Sequence, residues 1–164
     1  MIKQRYGVLG KSSGRFFAIP VAVTDGDSIV VEPVEGGNRV KIRFGIDAPE
    51  RKQPGGEASR GFVSDLALFM TVDVQERGID RYKRILAVVS IPYGEVLQEA
   101  LLTAGMAWVY RKYCRDCGDW LALEEEARDA GRGLWASPDP MPPWEWRSEQ
   151  RQRRKSLNGQ QILN

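Results

Sequence analysis

The sequence predicts an α+β chain, mainly β, in which five short strands close into a small barrel and three α-helices are interposed or appended. Two observations carry this expectation. Five runs rich in β-branched or alternating residues are separated by turn signals, and three stretches with helical spacing lie between and after them. There is no internal repeat. At 164 residues the chain fits one domain and can bury about two-thirds of the surface its unfolded form exposes, without needing disulfides.

The first strand is expected over 16–23 and ends at Thr24-Asp25-Gly26-Asp27. Residues 28–34 form a second β-branched run, and Glu35-Gly36-Gly37-Asn38 is a turn signal before a third over 39–46, so these two read as a hairpin. In the later strand Val40, Ile42, Phe44 and Ile46 alternate with Arg39, Lys41, Arg43 and Gly45, which predicts a half-buried strand with one basic face. Residues 47–56, with Pro49, Pro54, Gly55 and Gly56, read as a loop.

A helix follows over 57–70, with Phe62, Leu66, Phe69 and Met70 on one stripe. Residues 71–75 and 85–91 are β-like, separated by a charged stretch over 76–84. Pro92-Tyr93-Gly94 is a turn, and 95–104 a second helix with Gly105 as its C-cap. The third helix is expected over 118–130, with Asp119 as N-cap and Leu121, Leu123 and Ala127 facing inward. Residues 135–146 hold four prolines and three tryptophans, too rigid and apolar for a loose linker, and are expected to pack back on the domain. This order suits a closed barrel of the OB type, an architecture that often binds nucleic acid. The chain accordingly divides into an N-terminal extension (1–15), the barrel domain (16–147) and a basic, fraying tail (148–164).

Charge narrows the function classes. The net charge is +2, but Arg147, Arg151, Arg153, Arg154 and Lys155 crowd nine positions with one acid among them. A solvated tail is the favoured reading of that run, over a phosphate-binding arm. No apolar run approaches the roughly 20 residues of a membrane span, so no membrane partner is expected. The first fifteen residues lack the apolar core of a secretory signal. A trimmed exported protein would look the same, and an exported or periplasmic mature form is favoured over a cytoplasmic one.

The chain contains no histidine. That removes Ser-His-Asp and Cys-His catalysis, His-ligated zinc, and any reaction with imidazole as base. Chemistry must run on carboxylates, arginine, lysine, tyrosine or a metal. Three clusters could carry it: Asp25-Gly26-Asp27-Ser28, Asp47-Ala48-Pro49-Glu50 and Asp80-Arg81-Tyr82-Lys83-Arg84. Each alone reads as an ordinary surface turn or solvated face. Together they place Asp27 and Asp47 at strand ends, where two hard oxygen ligands could converge at one rim of a barrel. Carboxylates, carbonyls and water suit Ca²⁺. A carboxylate-held cation, two arginines and a further acid meet the needs of phosphodiester cleavage.

The segments V-T-D-G-D-S, G-I-D-A-P-E and D-R-Y-K-R-I-L-A, in this order, resemble the signature segments of the staphylococcal-nuclease family. G-R-G-L-W and P-P-W-E-W-R resemble the closing segment of its bacterial members, so the resemblance covers roughly residues 18–147. It implies an OB-fold barrel with three helices and Ca²⁺-dependent hydrolysis of DNA and RNA that leaves 3′-phosphates. Asp27 and Asp47 would be direct Ca²⁺ carboxylates beside the Ala48 carbonyl, with Asp25 bound through water. Glu50 would orient or deprotonate the attacking water, and Arg84 would stabilise the transition state. Tyr82 matches an aromatic lying along the nucleotide. The chain is expected to be a monomer.

One departure stands out. The family places its first catalytic arginine five residues before the acid matched by Asp47, where this chain has Ile42. Either Arg43 fills the role from a strand one residue shorter, or that arginine is absent; the alternation favours Arg43. Lys41, on the same strand face, is the nearby substitute and a candidate substrate contact. Cys114 and Cys117 form a C-x-x-C without the partners zinc needs, and read as a local disulfide or two idle thiols. A non-catalytic nucleic-acid or protein-binding module is the competing function, supported only by the shifted arginine.

Overall fold

The structure, a computed structural model, describes residues 14–113 and 117–161. Cys114 lies outside them, so the expected Cys114–Cys117 relation does too. Strand β1 (Arg15–Asp25) alternates buried Phe16 and Ala18 with exposed neighbours, and pairs with two different partners along its length. Its first residues lie antiparallel to β5 (Val72–Ile79), and those from Ala18 onward lie antiparallel to β2 (Ser28–Pro33). Register shifts after Pro20 and Val23 bend the strand between the two, which is how a short sheet turns a corner and closes.

Strand β3 (Val40–Arg43) pairs antiparallel with β2 and parallel with β6 (Ile85–Ser90), and β6 returns antiparallel to β5. The result is a closed barrel in the order β1-β2-β3-β6-β5, as the five-strand expectation required. Its interior is filled by Ile29, Val31, Ile42, Val72, Val74 and Val89, none more than marginally exposed. Such β-branched interiors suit a pleated wall.

The run expected over 39–46 is broken. Gly45 takes a left-handed φ of 76° and the chain resumes as β4 (Ile46–Asp47), paired with β7 (Trp108–Val109) in a separate two-stranded sheet. Gln98, buried on α2 (Leu97–Thr103), fixes this departure: its amide donates to the Phe44 and Ala87 carbonyls and its oxygen accepts from the Val89 amide. Strand β5 also runs further than its apolar residues do, through Ile79. Its second half is held by β6 with a register shift between Glu76 and Gly78, so pairing overrides its charge.

Helix α1 (Gly56–Ala67) buries Ser59, Val63 and Ala67, and the predicted stripe is corrected. Phe62 and Leu66 lie partly buried against the core, whereas Phe69 and Met70 are exposed. The helix stops at Leu68 in extended conformation and Phe69 has φ 61°, so the last two apolar residues leave the helical register. Helix α2 ends as predicted, with Gly105 at φ 68° and the Gly105 and Met106 amides donating back to Leu102 and Leu101.

Helix α3 (Gly118–Asp129) has Cys117, not Asp119, at its N-cap position; Asp119 sits inside the first turn, where its charge still meets the helix dipole. Ala127 is buried, and Leu121 and Leu123 pack partly buried against the core. Residues 135–146 fold back as expected. Trp135 meets Trp108 edge-on at 5.2 Å, and Trp144 meets it at 6.5 Å.

A fourth helix, α4 (Pro143–Gln161), replaces the fraying tail, so the helix count of three is corrected to four. Pro143 opens it at the first helical position, and the Trp146 amide donates to the Pro142 carbonyl. Gln, Glu, Arg and Lys then continue it, all good helix formers. Charge alone could not reveal this, because a solvated run and a solvated helix share one composition.

The turn between β1 and β2 passes so close to α1 that a Cβ on Gly26 would stand 1.9 Å from the Ser59 Oγ and 2.9 Å from the Ala48 Cβ. Ser59 cannot easily retreat, since its hydroxyl donates to the Met106 carbonyl. Gly26→Ala is therefore expected to destabilise the fold by about 1–3 kcal/mol, measured by urea unfolding; an unchanged midpoint would show that the turn can move away from the helix.

Candidate active site

The barrel rim gathers the acidic turns. Asp27 follows Gly26 and is 4% exposed; its carbonyl accepts from the Phe44 amide, which ties the turn to the end of β3. Its Oδ2 accepts from the Ala48 amide at 3.2 Å and from Arg43 Nη2 at 3.2 Å. Asp47, carried in by the break at Gly45, is fully buried, and its Oδ1 accepts from the same Arg43 nitrogen at 3.4 Å. One guanidinium group thus bridges both carboxylates. Arg43, four residues before Asp47, lies against these acids, whereas Lys41 is exposed on the barrel wall.

Glu50 lies in the loop after β4. Gln53 shapes that loop: its Oε1 accepts from the Glu50 amide, its own amide donates to the Glu50 carbonyl, and its Nε2 donates to the Met141 carbonyl. A Cβ on Gly56 would stand 2.1 Å from the Glu50 carbonyl, so the start of α1 can lie this close only with glycine. Opposite these acids Arg147, from the first turns of α4, donates to both Asp47 oxygens at 3.0 and 2.7 Å and to Glu50 Oε1 at 2.8 Å. This bidentate fork suits arginine and not lysine.

Arg84 is set by its own turn. Asp80 Oδ1 accepts from the Tyr82 and Arg84 amides, and its Oδ2 accepts from Arg84 Nε at 2.7 Å. Burial works against the Asp80 charge, but these hydrogen bonds from Arg84 and Tyr82 outweigh it and leave the pKa lowered. Tyr82 is exposed, with the guanidinium groups of Arg81 and Arg84 over its ring at 4.8 and 5.2 Å.

These parts face one cavity of about 310 Å³. Of the residues singled out in the sequence, Asp25, Asp27, Arg43, Ala48, Glu50, Tyr82 and Arg84 line it. Asp47 is buried beneath it, and Lys41 is not among its lining residues. Arg147, Arg151 and Tyr110 also line it, and none of the three was picked out for such a role. Arg147 ends the P-P-W-E-W-R segment, so its signal was present; a contact spanning 100 residues has no local pattern to betray it. Asp80 and Gln53 act through Arg84 and Glu50, and positioning of that kind leaves no mark in composition.

The electrostatics bear on a metal. Burial pushes the Asp27 carboxyl up to about 7; Arg43 and the Ala48 amide pull it down, and Asp47 and Asp25 add to the rise. Asp25 is raised as well, by burial and then by Glu50. The arginines present therefore leave Asp27 short of counter-charge, a deficit a hard cation would fill. Among the described residues no group of three or more acidic, cysteine or histidine side chains is arranged to hold a metal. A cation here would take Asp27, Asp47, a backbone carbonyl and water, a donor set that fits a hydrated divalent ion.

A family model described as staphylococcal nuclease homologue matches residues 41–137. The chain is similar to an uncharacterized endonuclease of Escherichia coli, 43% identical over 128 residues that cover 77% of this chain and 82% of that one. It is also similar to one from Haemophilus influenzae, 36% identical over 80% of this chain and 72% of the relative. A micrococcal nuclease of Shigella flexneri is 35% identical over 77% and 78% of the two chains.

Two outcomes follow from this geometry. Arg147→Ala removes the fork from a carboxylate that water cannot reach, and should destabilise the fold by about 2–3 kcal/mol in chelator; equal urea midpoints would mean Arg43 alone suffices. Asp27 retains its proton in the folded chain to about pH 7 but releases it near pH 4 when unfolded. The stability it contributes is thus present below about pH 4 and is lost as pH rises to about 7. Wild type should lose stability relative to Asp27→Asn across that window, and parallel stability curves would refute the shift.

Proposed function

We propose that this chain, which belongs to the family of staphylococcal nuclease homologues, is a Ca²⁺-dependent phosphodiesterase that cleaves DNA and RNA and leaves 3′-phosphates. The observation that carries the reading is the convergence of Asp27, Asp47 and Glu50 with Arg43, Arg84 and Arg147 at one rim of the barrel, in a chain without histidine. Asp27, Asp47 and the Ala48 carbonyl would hold the ion, with Asp25 reaching it through water. When bound, the ion supplies charge neutralisation at the phosphoryl oxygens and lowers the pKa of water.

The protein's own groups complete the reaction. Arg147 holds the Glu50 carboxylate in place, so that it orients the attacking water or takes its proton. The water oxygen bonds to phosphorus as the bond to the 5′ oxygen breaks; that oxygen leaves with the electron pair and is protonated from solvent. Arg84 uses Nε on Asp80, which leaves its terminal nitrogens for the phosphate charge that grows in the transition state. Arg43 supplies a second positive group at the carboxylate side of the cavity.

A plasmid-cleavage gel with Ca²⁺ and with chelator tests this reading. Cleavage should vanish in chelator and return with Ca²⁺; full activity in excess chelator would overturn it. Arg84→Ala should lower turnover on the order of 10²- to 10³-fold, and Arg43→Ala by a similar factor. Because Arg43 bridges two buried acids, its loss should also destabilise the fold, while Lys41→Ala should change activity a few-fold through binding. Nucleic-acid binding without cleavage under every cation condition would leave the non-catalytic module as the function.

A further inference from the structure

Helix α4 does more than cap the site. Arg147, Arg151 and Arg154 are spaced i, i+4, i+7, which puts them on one helix face. All three line a second cavity of about 400 Å³, together with Arg51, Lys52 and Trp146. That cavity shares Asp25, Glu50, Arg147 and Arg151 with the one over the acidic turns, so the two form a continuous path leading away from the proposed reaction centre.

Arg147 is held by Asp47 and Glu50, but the cations further along this path are open to a ligand. Arg151 and Arg154 are exposed, and neither has a hydrogen-bond or acidic partner among the described residues; the same is true of Lys52. Arg51 pairs with Glu57 in an exposed bridge, which phosphate could readily displace. Arg153, by contrast, pairs with Glu149 four residues before it. Along α4, Arg151 and Arg154 stand about 6 and 10 Å beyond Arg147, a spread suited to successive phosphates of an extended strand. The aromatic lining the second cavity is Trp146. Trp144 has its ring against Trp108 and Tyr110, whereas Trp146 lines the cavity. A basic track with an aromatic beside it is how proteins hold single strands without reading sequence.

We propose that the Arg147–Arg151–Arg154 face of α4, with Trp146 and the Arg51-Lys52 turn opposite, is a single-strand binding track. It holds the sugar-phosphate backbone to one side of the scissile phosphate while a base stacks on Trp146. The inference rests on the phosphodiesterase reading, and it turns the C-terminal helix into the part of the protein that makes longer strands better substrates.

The test uses the full chain and 5′-fluorescein oligothymidylates of two, four and eight nucleotides. Binding is followed by anisotropy in chelator across a salt series, and KM is measured with Ca²⁺. Wild type should bind more tightly, and show a lower KM, as the strand lengthens. The double variant Arg151→Gln/Arg154→Gln should lose most of that gain. Its slope of log affinity against log salt should be shallower by about 1.4, two contacts at about 0.7 each for single strands. Trp146→Ala should weaken octamer binding about 10-fold with the slope unchanged. Arg153→Gln, on the paired side of the helix, should match wild type. A slope that falls as much with Arg153→Gln as with either track arginine would show diffuse attraction and overturn the proposal, as would an equal loss on duplex DNA. Failure of the wild type to cleave any oligonucleotide overturns the reading beneath it. Cleavage with an unaltered slope and length dependence in the double variant overturns the track alone.

Discussion

Holding an ionised carboxylate away from water costs several kcal/mol even after the surroundings relax, and this chain buries two carboxyl groups at one barrel rim, Asp27 and Asp47. Around that cost the local structure is arranged. Arg43 bridges the pair, the Ala48 amide donates to one, and Arg147 crosses from the far end of the chain to fork onto the other. The compensation is incomplete, since burial still holds the Asp27 carboxyl at about 7. A site left short of positive charge is one that attracts it, and the same deficit that weakens the fold at neutral pH favours a divalent cation. Stability and proposed function meet in one electrostatic quantity.

The barrel converts that requirement into geometry through close approaches more than through strand propensity. Gly26 lets the first acidic turn touch α1, Gly45 lets Asp47 leave the barrel for the second sheet, and Gly56 lets the helix start against the Glu50 carbonyl. Gln98 then pins the Phe44 carbonyl from inside the core, where no water could replace its hydrogen bonds. The three acids come from the β1–β2 turn, from β4 and from the loop after it, so each needs its own anchor. Arg84 differs: Asp80 caps its turn and holds its side chain at once, a self-contained unit displayed at the rim.

Much of this was legible because it is local. The five strands, the β2–β3 hairpin, the Gly105 cap and the three acidic or basic clusters each announce themselves within ten residues. What was missed depends on distance or on context. Phe69 and Met70 fit a helical stripe, yet the chain had already left the helix, because a left-handed residue is cheap to place after a terminus and invisible to periodicity. The charged stretch over 76–84 was expected to separate two strands, and pairing with β6 carries β5 on through Ile79. The largest gap was α4. Its composition reads as solvated in any conformation, and its contact with the buried acids, Arg147 with Asp47, closes a separation of 100 residues.

The net charge of +2 describes this protein poorly, because its cations are sorted more than they are balanced. Arg15 with Asp73, Arg39 with Glu32, Arg128 with Glu124 and Arg132 with Glu126 form pairs with at least one exposed partner. Such pairs contribute little to stability, at most about 1 kcal/mol each. They do something else: each cancels a cation that would otherwise compete for phosphate away from the site. Among the described residues, Arg151, Arg154 and Lys52 are some of the cations without an acidic partner, and they lie beside Arg147 and next to the buried acids. Such a field acts over about a Debye length, so in the proposed reaction a strand close to the site would meet this local cluster more than the molecule's total charge. In the proposed reaction the acids would hold the metal, and the arginines of α4 would set where the strand lies.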